Sequence, residues 1–315
     1  MKVISAEQVH QSLNFADLVP LLKDSFSKPF HMPQRQVHLL APEDKSSHDA
    51  FALLPSWNED VIGNKAFTYF PDNAEKYDLP GLFSKVMLFK RQTGEPLALV
   101  DGTSITYWRT AAISALASQL LSRENSRHLM LFGTGNLSTY IIHAHLSVRD
   151  ISKVTIWGRS LSKVNNIIEE MSAHYPQVEF VASTTVDEEC MQADIICCAT
   201  GSKIPLFNGE LIKPGCHIDC LGNHVASARE CDTTSILRAR VFVDSLTNTL
   251  NEAGELLIPM SEGVFKAEDI IGELADMCRK PELLRQSADE ITLFKSVGTA
   301  ISDLVAAYQV YQRCS

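Results

Sequence analysis

Apolar positions recur along this chain with two different periods, and the change from one to the other divides it. In NFADLVPLLKDSF (14–26), Leu18, Leu21, Leu22 and Phe26 return at helical spacing, and Asn14 stands where a capping side chain takes a free N–H. The spacing predicts helix over residues 1–28, with Pro20 tolerable only near a first turn. From 35 to 108 short β-type runs take over: FALLP, KAFTYF, KVMLFK and PLALVDG, with Thr93-Gly94 placed as a hairpin turn. RTAAISALASQLLS (109–122) returns to helix through its alanine and leucine content.

Beyond residue 127 apolar strands and amphipathic helices alternate: RHLMLF with NLSTYIIHAHLSV, VTIWG with SLSKVNNIIEEMSAHY, then ADIICCAT, GCHIDCL and VFVDS. Strand–helix alternation of this kind predicts a parallel sheet covered on both faces. The expected fold class is therefore α/β, a Rossmann-type doubly wound sheet domain plus a β-rich α/β domain. The tail TAISDLVAAYQVYQ reads as one more amphipathic helix.

Composition narrows the partners. The 315 residues suit about two domains, and 45% hydrophobic with 21% charged residues allows a sizeable core. A net charge of −10 with no basic stripe argues against nucleic acid. No apolar run reaches the roughly 18 residues of a membrane span, and the N-terminus lacks a signal-peptide layout. Eight scattered cysteines without a C-x-x-C pair suit free thiols in a reducing compartment, so the expected location is cytoplasmic.

The chemistry concentrates first at GTGNLS (133–138), between a predicted strand and a predicted helix. Gly133 permits a tight turn, Gly135 lets backbone approach a pyrophosphate, and the helix start offers N–H groups to the anion. Ser138 replaces the usual third small residue. Gly133, Thr134, Gly135, Asn136 and Leu137 are thus candidate dinucleotide contacts; the alternative is a structural turn in a nucleotide-free domain. An NAD site usually places an acid about 20 residues past the glycines. Here the next strand ends Trp157-Gly158-Arg159-Ser160, and Arg159, with Ser160 and Lys163 nearby, can pair with a 2′-phosphate. NADPH is the expected cofactor, with NADH possible. Ala199 and Thr200, at a strand's carboxyl end, are further candidates.

The chain resembles the ornithine cyclodeaminase/mu-crystallin family over nearly its whole length. The matching stretches include PQRQVH (33–38), GNKAF (63–67) and TGEPLALVDGTSITYWRTAA (93–112), then GTGNLSTYIIHAH, TIWGRS, CCATGSKIPLF, KPGCHIDCLGNH and LFKSVGTAISDL. The resemblance implies a substrate-binding and dimerisation domain from residues 1–113 and 292–315, a nucleotide domain over 114–291, and a homodimer. It also implies that Arg35, Lys65 and Arg109 clamp the carboxylate of a small amino-acid-like substrate, and that Lys295 and Ser296 lie near the nicotinamide. Three cations that converge need an anion, and arginine suits a carboxylate bidentately.

One departure points within the family. Its cyclodeaminases carry a catalytic aspartate where this chain has His224. Without that residue, and with Arg159 in place of an acid, the expectation is the reductive half-step alone. That step is hydride delivery to a cyclic ketimine, pyrroline-2-carboxylate or piperideine-2-carboxylate, to give proline or pipecolate. Lys65 and His224 are the candidate catalytic residues, His224 as proton donor to the imine. A cyclodeaminase, an amino-acid dehydrogenase, an N-substituted amino-acid synthase and a non-catalytic NADPH-bound binding protein stay open. His143 and His145 read as packing or surface residues. The cluster Cys216, His217, Cys220, His224 and Cys231 invites a zinc reading, but the stretch runs strand then loop rather than forming a closed tetrahedral pattern, and no metal is expected.

Overall fold

The computed structural model describes residues 1–41, 43 and 49–314. Residues 42 and 44–48 of the predicted strand-and-turn region, and residue 315 of the predicted first domain, lie outside the described residues. The chain divides into two compact units, Met1–Thr110 with the residues from Thr299 on, and Ala111–Gly298.

The first unit is built on six strands: β1 (Lys2–Ile4), β2 (Gln36–Leu39), β3 (Ala50–Trp57), β4 (Val61–Tyr69), β5 (Leu82–Lys90) and β6 (Pro96–Asp101). Their order is β1-β6-β5-β4-β3-β2, antiparallel except for the β1–β6 pair. The helix expected over 1–28 is thus corrected at its start, where Lys2–Ile4 pairs with Ala98–Val100. Asn14 does cap the helix Phe15–Ser27, accepting from the Asp17 N–H at 2.9 Å. Pro20 is its sixth residue, beyond the first turn, and the helix runs on through it. Gly94 closes the turn between β5 and β6 at φ 71°.

In β3, residues at every second position are buried, as a half-covered sheet requires. That buried face meets the C-terminal helix Ala300–Arg313: Ser56 Oγ donates to the Ala300 carbonyl at 3.0 Å, and Ala52, Leu54 and Ala300 cluster. A Cβ on Gly63 would lie 2.4 Å from Leu304 Cδ1, so glycine lets helix and β4 approach. Val61, Gly63 and Lys65 alternate onto this same face. The period that buries Val61 therefore also buries Lys65. Ile301 and Leu304 are almost wholly enclosed; each contributes about 1.5–3 kcal/mol and offsets the cost of charges buried beside them.

The second unit holds eight parallel strands: β7 (His128–Phe132), β8 (Lys153–Trp157), β9 (Glu179–Ala182), β10 (Ile195–Cys198), β11 (His217–Cys220), β12 (Ala239–Val243), β13 (Ile270–Glu273) and β14 (Ile291–Lys295). Their order is β13-β12-β14-β11-β10-β7-β8-β9. Strands β7, β10, β11 and β14 are buried along their full length, and β7 and β10 accordingly read as nearly continuous apolar runs. The sheet runs outward from β7 through β8 to β9, then resumes on the other side of β7 at β10. The point where the winding reverses is the crevice between the ends of β7 and β10, where open α/β sheets bind ligands.

Two boundaries differ from the sequence reading. Helix Gly102–Leu121 begins seven residues before Arg109, because Asp101 Oδ1 accepts the Ser104 N–H at 2.9 Å and starts it there. The boundary expected at 291/292 cuts β14, which pairs with both β11 and β12, so that strand belongs to the nucleotide sheet.

Candidate functional site

Within the second unit, a cavity of about 530 Å³ opens at the reversal point. Gly133, Thr134, Gly135, Trp157, Arg159, Lys163, Ala199 and Thr200 line it, as do Gly158, Ser202 and Lys203, which the sequence reading passed over. Gly133 sits at φ 128°, and a Cβ there would lie 2.6 Å from the Ala199 carbonyl oxygen. Only glycine joins β7 and β10 so closely. Gly135 is the opposite case: no protein atom lies within 4 Å of its would-be Cβ, so its backbone faces open space. Ser138 donates to the Gly133 carbonyl at 3.0 Å and closes the turn onto helix Ser138–Val148.

This cavity fits a dinucleotide. A bare glycine backbone and a helix start suit a pyrophosphate, three cations (Arg159, Lys163, Lys203) stand in its wall, and no acid among the described residues lines it. The remaining cofactor candidates do not form its wall. Asn136 and Leu137 lie in the turn; Leu137 precedes the helix. Ser160 instead caps helix Leu161–His174, accepting from the Lys163 N–H at 3.5 Å. Ser296 donates to Asp244 Oδ2 at 2.7 Å. Lys295 stands apart from the cavity wall. Its ammonium is fully buried, donates to the Asn223 carbonyl at 2.6 Å and pairs with Glu255 at 2.9 Å, so it lines no part of the cavity.

The first unit holds a second polar centre. Lys65, on the inward face of β4, donates to Asp303 Oδ1 at 2.9 Å and to Thr106 Oγ1 at 2.5 Å. Arg109 Nε donates to the same Asp303 oxygen at 3.1 Å. Thr106 and Arg109, three residues apart, share one face of their helix. The Lys65 and Asp303 side chains are 5% and 1% exposed, Arg109's 11%, so this is a buried group with one anion for two cations. Burial pushes the Lys65 pKa down to about 8; Asp303 opposes the shift, while the positive charges of Arg109 and Arg35 add to it. Arg35 is half-buried and close enough for its charge to be felt at Lys65. Asp303 Oδ2 is enclosed without a hydrogen-bond partner.

His224 lies in the second unit, exposed on the loop after β11. The zinc reading fails on strand alternation. Cys216, Ile218, Cys220 and Cys231 enter one core cluster, whereas His217 turns to the other face, its Nδ1 3.0 Å from Thr292 Oγ1. Among the described residues, His145, Cys197 and Asp219 bring one potential ligand atom each within 4.8 Å of one another. The Ser114 hydroxyl stands among them, donating to Asp219 and lying 2.9 Å from His145 Nε2. Burial pushes His145 down to about 3 and Asp219 up to about 8, which makes this a neutral hydrogen-bonded chain. His145 is thus a packing residue, and His143 pairs with the Tyr175 hydroxyl at 2.8 Å.

A parallel doubly wound sheet with a glycine turn at its reversal point defines a Rossmann-type, dehydrogenase-like protein, here with a β-rich companion unit. The chain belongs to the ornithine cyclodeaminase/mu-crystallin family, whose sequence profile matches residues 1–315. It is 74% identical over 313 residues to the Delta(1)-pyrroline-2-carboxylate reductase of Colwellia psychrerythraea, covering 99% of each chain. The protein of the same name from Paracoccus denitrificans is 33% identical, covering 94% of this chain and 91% of its own. The solved structure of the Thermococcus litoralis Delta(1)-pyrroline-2-carboxylate reductase in complex with NADH and L-proline matches with TM-score 0.93 at 29% identity, covering 100% of this chain and 97% of that one.

Proposed function

We propose that the protein is an NAD(P)H-dependent cyclic ketimine reductase, converting pyrroline-2-carboxylate or piperideine-2-carboxylate to L-proline or L-pipecolate. The observation that carries this reading is the buried Lys65–Asp303–Arg109 group, whose two cations exceed its one anion and call for a substrate carboxylate. The names of relatives spanning the whole chain supply the reaction.

A bound reduced nicotinamide supplies the hydride. Lys65, Arg109 and Arg35 hold the ring carboxylate, and that fixed placement of the imine carbon supplies much of the rate. The ring nitrogen takes one proton and the carbon one hydride, which turns C=N into a secondary amine with no other product. The proton comes from His224 or from Lys65, whose pKa of about 8 makes it a competent donor near neutrality. His224→Ala is expected to lower kcat by about 100-fold, the usual worth of a general acid. An unchanged kcat and pH profile would leave Lys65 or solvent as donor.

The cations at the adenosine end favour NADPH over NADH. In Arg159→Ala, kcat/KM for NADPH should fall at least tenfold while that for NADH stays within about twofold, since one charge-assisted bond to a 2′-phosphate is worth about 1.5–3 kcal/mol. Equal change with both cofactors refutes the preference. All eight cysteines are free, which supports a reducing, cytoplasmic setting. The assembly we propose is a homodimer.

The deciding assay is loss of reduced-nicotinamide absorbance with each ketimine, run beside ornithine and alanine with NAD. Turnover of the ketimines alone supports the reading. Ammonia from ornithine supports a cyclodeaminase, NAD reduction by alanine a dehydrogenase, and tight NADPH binding without turnover a binding protein.

A further inference from the structure

Glu230 is completely buried and lies in a loop, yet its carboxylate accepts three hydrogen bonds. Oε1 takes the Thr200 N–H at 2.6 Å and the Thr200 hydroxyl at 2.8 Å; Oε2 takes the Gly222 N–H at 2.8 Å. Thr200 follows β10 and Gly222 follows β11, so one side chain joins the carboxyl ends of two neighbouring strands. The two ends touch so closely that a Cβ on Gly222 would lie 2.1 Å from the Thr200 nitrogen. Behind this link, Glu255 Oε1 accepts the Glu230 N–H at 3.0 Å, and the Glu255 carboxylate pairs with Lys295. Lys295 donates to the Asn223 carbonyl, and the Asn223 amide to the Ser202 carbonyl at 2.6 Å. Every branch of the network returns to residues 200–202 or 222–223, and Thr200 and Ser202 are cavity wall.

We propose that Glu230 is a positioning residue of the dinucleotide site, fixing the β10 and β11 loop ends that form one wall of the cavity. This rests on the cavity being the cofactor site. A carboxylate satisfied by three donors is costly to bury and gives no packing that an apolar side chain would not give more cheaply. Its benefit is geometric. Two backbone N–H groups and a hydroxyl are held to one rigid side chain; burial pushes the Glu230 pKa up to about 8, and the buried Lys295 ammonium acts against that rise.

The test is Glu230→Gln in the full chain, with two readouts. The glutamine amide puts a donor where Gly222 or Thr200 also donates. In the cofactor-free protein, hydrogen exchange at the Thr200 and Gly222 amides should therefore accelerate at least tenfold. The Kd for NADPH or NADH should rise at least tenfold. Val241→Ala, in the core of β12, serves as the control for lost stability: a lower Tm with unchanged Kd is expected. Unchanged exchange and Kd in Glu230→Gln, or an equal rise in Kd in Val241→Ala at matched Tm loss, overturns the proposal. If Glu230→Gln does not fold, Thr200→Val removes one of the three bonds and should raise Kd about threefold, and no change there overturns it. Wild-type protein that binds neither dinucleotide overturns the cofactor reading and this role with it. The exchange result in that case still reports whether Glu230 holds the loops, so the two failures are distinguishable.

Discussion

Asp303→Ala is expected to destabilise the protein by about 3–5 kcal/mol, the cost of removing one partner from a buried ion pair, and to abolish measurable turnover at neutral pH. The two effects share one cause. Asp303 is the anion that both Lys65 and Arg109 contact through a single oxygen, in a site from which water is nearly excluded. Without it two enclosed cations face one another, and Lys65 loses the charge that opposes its burial. Its pKa then falls further below 8, the ammonium gives up its proton near neutrality, and the carboxylate clamp is left with Arg109 and Arg35. Thermal unfolding with and without L-proline checks this. The variant should melt lower than wild type and gain less from L-proline, because one of the three clamp cations is already discharged. A variant that melts like wild type and keeps its affinity would show that Asp303 carries neither load.

That residue also marks where sequence reasoning ran out. In TAISDLVAAYQVYQ the helical period is legible, but it does not say that Asp303 is enclosed; in the fold, the residues around it from Ala300 to Ala307 are all buried. A lone acid on such a face is the available signal, since aspartate is almost never enclosed unpaired. Lys65 and Arg109 were found only through family resemblance, because no local pattern links a strand lysine to a helix arginine 44 positions on. Strand alternation nonetheless places Lys65 once β4 is recognised, as Val61 and Gly63 share its face. The glycine turn was legible because its chemistry is local: strand, turn and helix start are contiguous. Lys203, which lines the cavity, and Glu230, which bonds the wall residue Thr200, were not, because they come from loops after other strands and sheet order is what assembles them. Lys295 is the converse case: it is adjacent to Ser296 in a family run, and since every residue of its strand is buried, alternation does not say where its ammonium turns.

Arg109→Ala is expected to lower kcat/KM by at least an order of magnitude, and by up to ~10³-fold, since truncating one member of a buried charged contact costs about 2–5 kcal/mol. Lys65 should act through its own titration. Its folded pKa of about 8 lies below the ordinary 10.5, so between those values the unfolded chain binds more protons than the folded one. Stability attributable to Lys65 therefore rises with pH across that window, while its value as a carboxylate ligand falls. Cyclopent-1-enecarboxylate, a ring carboxylate with no imine to titrate, separates this from substrate ionisation. Its Kd should be flat below pH 8 and weaken towards tenfold per unit above it. Binding near pH 8 should take up a proton, seen as a calorimetric enthalpy that depends on the buffer, because the incoming carboxylate restores the Lys65 charge. In Lys65→Arg the high-pH loss should vanish; in Arg109→Ala it should persist on a weaker baseline. A Kd in wild type that stays constant through pH 10 would mean that the Lys65 ammonium is not the group receiving the carboxylate.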